Sequence, residues 1–380
     1  MSERSYDSGI WAAFAVASVW FATHFGGGFS SARQVVEFYT QYGYYALFMP
    51  ILAIVIEGII FYYGWSLAVT HKSFNYKKWA TDLYEPYGQL GEVLYEIMYI
   101  ITVLIAGAVA FATGGSVLNK TLGINYYLAT GIVAIIIFVI TIYGAEAVRR
   151  FSTGVAVVGV IILIIAYGVV IIKNFSQLQG VVHSLKANPP ASFKTALWAA
   201  ILYAAFQSMA VGSYISVADV LKSRKDCRNT AIVGVLINLI PLWLCSVATL
   251  IFYPTVTKEA VPALLVMQAG IGNVAKNLIS FLIFIGVVST GVPFIYGFVK
   301  RILSYLETRV EQKTLSRVNI GVTLIAVIIT WSVALFGLIP LIAKGYRFLG
   351  YLAIVFLIPP LLIKGILYEK QWWEKKTSIQ

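Results

Sequence analysis

Charge is what this sequence has least of. Only 12% of its 380 residues are Asp, Glu, Lys or Arg, while 59% are hydrophobic and mean hydropathy is +0.83. A chain so poor in charge does not make the solvated surface of a soluble domain, so lipid is the expected solvent. Histidine is also scarce, with three scattered copies, His24, His71 and His183. No H-E-x-x-H occurs and no serine stands in a G-x-S-x-G setting, which argues against a zinc hydrolase and a serine hydrolase. No enzyme activity and no cofactor are expected. The two cysteines, Cys227 and Cys245, are too few and badly placed for a disulfide framework. Both are expected to be reduced thiols. Basic residues outnumber acidic ones by 28 to 16, yet they form no compact arm, so the excess is topogenic and no nucleic-acid partner is expected.

What the chain has instead is apolar length. About ten segments qualify as membrane spans: 9–39, 43–70, 89–113, 126–145, 148–173, 194–220, 228–254, 274–305, 318–338 and 345–368. The apolar run from Ile10 leads into a glycine-rich, arginine-containing stretch rather than a small-residue cleavage site, so the first helix is expected to be retained. Most Lys and Arg fall in connectors on one side, which predicts cytoplasmic N- and C-termini in a bacterial-type inner membrane. The loop "LKANPPASF" divides the spans five and five, so the halves 9–173 and 191–368 have opposite topology. The expected fold is an all-α polytopic membrane protein with a five-plus-five inverted repeat.

The first span of each half is interrupted. Segment 9–39 would measure about 46 Å as one straight helix, against a hydrocarbon thickness of about 30 Å, and it contains "ATHFGGGFSSARQ". Three successive glycines, Gly26, Gly27 and Gly28, beside His24 predict unwound backbone facing a cavity. In "YAAFQSMAVGSYISVADV", Gln207, Ser208 and Gly212 mark a second, weaker break, although Gly212 alone reads equally as close helix packing. Broken helices present N–H groups at one half-helix end and carbonyls at the other, which suit a carboxylate and a cation respectively.

Ten spans, a glycine-rich break in the first and a polar break in the sixth resemble the amino acid, polyamine and organocation transporter superfamily, with its LeuT-like repeat. The chain looks most like the YkvI group of bacterial membrane proteins, described as amino acid permeases. The resemblance spans essentially the whole chain. It also gives meaning to span eight, "FIGVVSTGVPFIYG", where Gly286, Ser289 and Thr290 share one helix face. In sodium-coupled relatives, similarly placed groups bind sodium together with carbonyls from span one. The implied ligands are the carbonyls of Ala22, Phe25 and Gly286 and the hydroxyls of Ser289 and Thr290, an oxygen-only set that suits a hard cation. Such hydroxyls also serve as ordinary helix glue. Some proton-driven relatives fill this position with a lysine from span five, and no lysine lies between Phe151 and Ile172.

The resemblance implies a secondary active transporter: a sodium-coupled symporter of an amino acid or a related small amine or carboxylate, with the substrate between spans one and six. Proton coupling through His24 or Glu57 is the alternative, as is a non-transporting sensor of the same fold. Substrate contacts are expected from His24, Phe25, the three glycines, Gln207 and Ser208, with Trp20, Tyr99 and Phe206 as aromatic walls. Glu57 is either a proton carrier or an acceptor for backbone N–H groups freed by a break, and relatives favour the second role. His24 either titrates or packs as a neutral, hydrogen-bonded ring. Arg33 and Glu37, spaced i, i+4, form an ion pair that is either an outer gate or a plain surface pair. Asp219 is a helix cap or an inner-gate partner.

Overall fold

The computed structural model describes residues 9–143, 145–306 and 312–377, and for 145–157, 304–306, 312–316 and 368–377 the backbone alone. The side chains of Arg4, Arg149, Arg150, Arg309, Lys313, Lys370, Lys375 and Lys376, which carry part of the charge bias, lie outside that description.

In hydrocarbon each backbone N–H and C=O must find its partner within its own segment, so apolar runs become helices. The described residues are nearly all helical and contain no strand. The first apolar segment folds as α1 (Ile10–His24), α2 (Gly27–Ser30) and α3 (Arg33–Phe38). Next come α4 (Met49–His71), α5 (Tyr76–Tyr84), α6 (Gly88–Leu122), α7 (Tyr126–Tyr143), α8 (Ala145–Lys173) and α9 (Phe175–Ala187). The second half runs through α10 (Phe193–Ser208), α11 (Val211–Ile215), α12 (Arg224–Ile251), α13 (Pro262–Gly270), α14 (Asn273–Leu306) and α15 (Gln312–Ala334). It ends with α16 (Leu338–Leu367), in which Leu341–Tyr346 and Ala353–Leu357 are π-helical stretches.

Seven of these, α4, α6, α7, α12, α14, α15 and α16, are each long and apolar enough to cross a membrane, and α8, from which α9 bends away by 78°, makes an eighth. The remaining two spans are α1 and α10, of 15 and 16 residues. At 1.5 Å per residue each reaches only about 23 Å, because the segment that contains it is broken. The protein is therefore a polytopic α-helical membrane protein. Hydropathy did not reveal α5, α9 and α13, which lie in connectors. In α5, Asn75 caps the N-terminus by accepting from the Lys77 amide at 2.9 Å. That helix buries Trp79, whose Nε1 donates to the Gly64 carbonyl at 3.1 Å.

Small residues set the packing. The Trp20 ring fills the space over Gly234, where a Cβ would lie 2.4 Å from the indole, so α1 seats directly on α12. On the opposite flank a Cβ at Gly58 would meet Val235 at 2.4 Å, which fixes α4 against the same helix. Gly115 does the same for α6 and α7, with Thr130 at 2.2 Å. Both cysteines are buried and free.

The second break is the weaker one, as its composition predicts. Met209 and Ala210 keep right-handed helical angles, but the hydrogen bonds tighten to i→i−3, with Met209 N donating to Phe206 O and Ala210 N to Gln207 O. Gly212 serves both roles left open for it: its amide donates to the Tyr95 hydroxyl at 2.9 Å, and a Cβ there would sit 2.4 Å from that oxygen. Gly212→Ala is therefore expected to destabilise by about 1–3 kcal/mol. Adding Tyr95→Phe should partly restore the melting temperature by removing the clashing atom. A Gly212→Ala protein that melts like wild type would show that α11 stands off α6.

Candidate functional site

The triple glycine is explained by three neighbours that approach from different helices. A Cβ on Gly26 would lie 3.3 Å from Thr290 Cγ2 of α14, and one on Gly27 would lie 2.8 Å from Thr113 Oγ1 and 3.2 Å from the Ala110 backbone of α6. One on Gly28 would meet Gln34 Oε1 at 2.6 Å and Tyr346 of α16 at 3.1 Å. Gly26 is extended, with φ −61° and ψ 177°, and separates α1 from α2. The helix breaks again at Ala32, whose φ of 62° is left-handed.

This break opens onto a central cavity of about 50 Å³, room for only a few water molecules. Span one contributes Thr23, His24, the three glycines and Gln34; the second break contributes Phe206, Gln207 and Ala210; α6, α14 and α16 complete the wall. Six residues expected to bind substrate, His24, Gly26, Gly27, Gly28, Phe206 and Gln207, thus converge, together with Thr290.

Beside the cavity, the backbone at the first break has lost helical partners. The Gly26 amide does not bond the Ala22 carbonyl, and no backbone amide of the described residues reaches the Phe25 carbonyl. The Phe25 oxygen lies 3.7 Å from where a Cβ on Gly286 would stand. Ser289 Oγ donates to the Gly286 carbonyl at 3.0 Å, and Pro293 follows one turn later inside α14. The five expected cation ligands thus belong to two facing segments, the end of α1 and the middle of α14.

His24 is buried in a closed network. Its Nδ1 is 2.7 Å from Asn238 Oδ1 and its Nε2 is 2.5 Å from the Tyr203 hydroxyl. Asn238 Nδ2 is committed to the Gly234 carbonyl at 2.8 Å, so Oδ1 accepts from an Nδ1–H. Gln34 Nε2 donates to Tyr203 Oη at 2.9 Å and Gln207 Nε2 approaches it at 3.4 Å. With two donors already on that oxygen, the tyrosine O–H is left to donate to His24 Nε2. A neutral ring with its proton on Nδ1 satisfies every member, which is the packed alternative for His24. Neither Asn238 nor Tyr203 was singled out from the sequence, because only the fold brings α10 and α12 to this ring.

Other expected site residues lie elsewhere. Trp20 packs edge-on against Phe61 at 4.8 Å, away from the cavity wall. Tyr99 stacks on Tyr76 at 5.9 Å with the Arg301 guanidinium 4.0 Å from its centroid, and Arg301 pairs with Glu96 at 3.1 Å. Ser208 Oγ donates back to the Ala205 carbonyl at 2.6 Å. The Phe25 ring packs on Phe21 and Phe29 and also lies against α14, its Cε1 3.4 Å from where a Cβ on Gly286 would stand, beside its own carbonyl at 3.7 Å. Glu57 is fully buried and neither oxygen has a hydrogen-bond partner among the described residues, so it does not cap amides freed by a break. Asp219 is exposed and only its carbonyl is engaged, by Lys222 Nζ at 2.7 Å. Ser223 and Asp226 provide the helix cap instead.

Arg33 and Glu37 pair at 3.1 Å, as expected, but within a larger cluster. Arg33 Nη1 donates to the carbonyls of Thr257 and Glu259 at 2.8 and 3.0 Å. Arg347 of α16 reaches the second Glu37 oxygen at 2.9 Å and the Tyr42 hydroxyl at 2.8 Å. One carboxylate therefore ties α3 to α16 and to the loop before α13. Directly beneath, Tyr346 stacks on Phe206 at 4.5 Å.

No protein-family model matches the chain. The membrane protein YkvI of Bacillus subtilis (strain 168) is 24% identical over 351 residues, 90% of this chain and 93% of that protein. Among solved structures, a substrate-bound, outward-open Na+-coupled sialic acid symporter superposes with a TM-score of 0.63 at 16% identity, over 93% of this chain and 78% of that one. Mhp1 in its inward-facing conformation gives 0.61 at 16% identity, over 90% and 73%. The chain has the LeuT-like fold. In this LeuT-like arrangement, α1 to α3 form the interrupted first span, α10 and α11 the sixth, and α14 the eighth, so the residues that converge come from the segments expected to supply them.

Proposed function

We propose that the protein is a secondary transporter, a sodium-coupled symporter of an amino acid or a related small amine or carboxylate, working by alternating access. The observation that carries this proposal is the facing of two oxygen-rich segments beside the central cavity. The Phe25 carbonyl of the first break, which no backbone amide of the described residues reaches, lies against Gly286, one turn from Ser289 and Thr290. A bound cation would bridge α1 and α14 and so favour the conformation in which they touch. The Na+-coupled symporter among the structural neighbours is in line with sodium as that cation. The halves 9–173 and 191–368 form the two repeats, and the Lys and Arg bias places the α5 end of the bundle and both termini in the cytoplasm of an inner membrane. The Arg33, Glu37 and Arg347 cluster then closes the outer side.

The test is uptake into proteoliposomes of a panel of labelled amino acids under separately imposed sodium and proton gradients. Inward sodium is expected to drive accumulation of at least one compound. Uptake indifferent to both gradients would sink symport, and binding without any uptake would favour a sensor. Proton symport through Glu57 is the second reading, favoured by its two buried oxygens, which have no hydrogen-bond partner among the described residues; accumulation driven by protons alone and lost in Glu57→Gln would establish it.

A further inference from the structure

We infer that the central cavity takes a solute of zero net charge with an aromatic or branched apolar body, and rejects cationic and anionic side groups. This rests on the symporter proposal for the same cavity and narrows its substrate class. Among the described residues, no Asp, Glu, Lys or Arg lines the cavity. Its one titratable imidazole, His24, has both nitrogens engaged by Asn238 and Tyr203. The nearest guanidinium groups, Arg33 and Arg347, are held by Glu37. A charged side group brought into this space would find no side-chain counter-ion, and at membrane depth that penalty corresponds to about 100-fold in affinity.

The lining matches a neutral solute in kind. Phe206, Phe294, Leu349 and Tyr346 give one apolar wall, while Gln207 and Thr102 offer neutral donors and acceptors. Such a surface fits a zwitterion with an uncharged side chain, such as leucine or phenylalanine, or an uncharged heterocycle such as uracil. With about 50 Å³ at present, the cavity must widen to admit either, and the Tyr346 and Phe206 stack is the apolar contact that would part.

The inference is tested by thermal unfolding of the purified full-length protein with unlabelled leucine, phenylalanine, uracil, lysine, glutamate and putrescine, since a ligand that binds the folded state raises the melting temperature. At least one of the first three should stabilise, and the last three should bind about 100-fold more weakly or not at all. Leucine or phenylalanine against uracil separates the two neutral chemistries. In Gln207→Glu, which places a carboxylate in the cavity, lysine or putrescine should begin to stabilise. Stabilisation of the wild type by a charged compound at concentrations as low as a neutral one needs, or by none of the six, overturns the inference. Neutral compounds that bind but are not accumulated under any gradient sink the symporter proposal alone.

Discussion

Sodium-driven uptake should collapse when Ser289 and Thr290 are both replaced by alanine. Each hydroxyl that binds a cation contributes about 1.5–3 kcal/mol, so losing both should weaken sodium by at least about 100-fold. The loss should appear as a shift of the sodium dependence to higher concentration, with the substrate affinity at saturating sodium much less changed. Structural damage should be slight. Ser289 Oγ bonds back to its own helix at Gly286, and Thr290 touches the Gly26 region through its methyl group. Folding and transport thus separate: a double variant that melts normally yet no longer responds to sodium supports the site between α1 and α14. A double variant with an unchanged sodium curve removes it.

Glu37→Ala should be the most disruptive single change outside the cavity. Arg33 is 2% and Glu37 7% exposed, and both guanidinium groups depend on that one carboxylate. Removing one partner of a buried pair costs about 3–5 kcal/mol because it strands the remaining charge. The low end applies here, since Arg33 keeps the Thr257 and Glu259 carbonyls. Glu37→Gln retains the shape and an acceptor oxygen and should lose less. If the cluster also closes the outer side, Glu37→Ala should raise the labelling of a cysteine at Ala106 by a membrane-impermeant maleimide. The background for that measurement carries Cys227→Ser and Cys245→Ser. Unchanged melting and unchanged labelling would reduce the cluster to an ordinary surface pair.

The fold was legible in this sequence to an unusual depth because lipid imposes one rule on every span. The apolar segments, the break at "HFGGG" and the α14 face bearing Ser289 and Thr290 all follow from length, hydropathy and local periodicity. Tyr99 shows where that reasoning stops: it stands one turn before cavity residue Thr102 on the same helix, yet its ring meets Tyr76 and Arg301 instead. Trp20 likewise lies one turn before His24 but faces α4. Aromatic character in an apolar helix does not say which neighbour the ring meets.

By itself the sequence determined the approximate number of spans, the place of the first break and the helix face that Gly286, Ser289 and Thr290 share, because each depends on residues close together along the chain. Only tertiary structure decided that His24 is locked by Asn238 and Tyr203, that Arg347 completes the Arg33 and Glu37 cluster, and that no charged side chain of the described residues lines the cavity. Those outcomes depend on how helices distant in sequence rotate against one another. That rotation is set by side-chain packing at positions such as Gly58, Gly212 and Gly234, where the neighbour that fills the space comes from another helix.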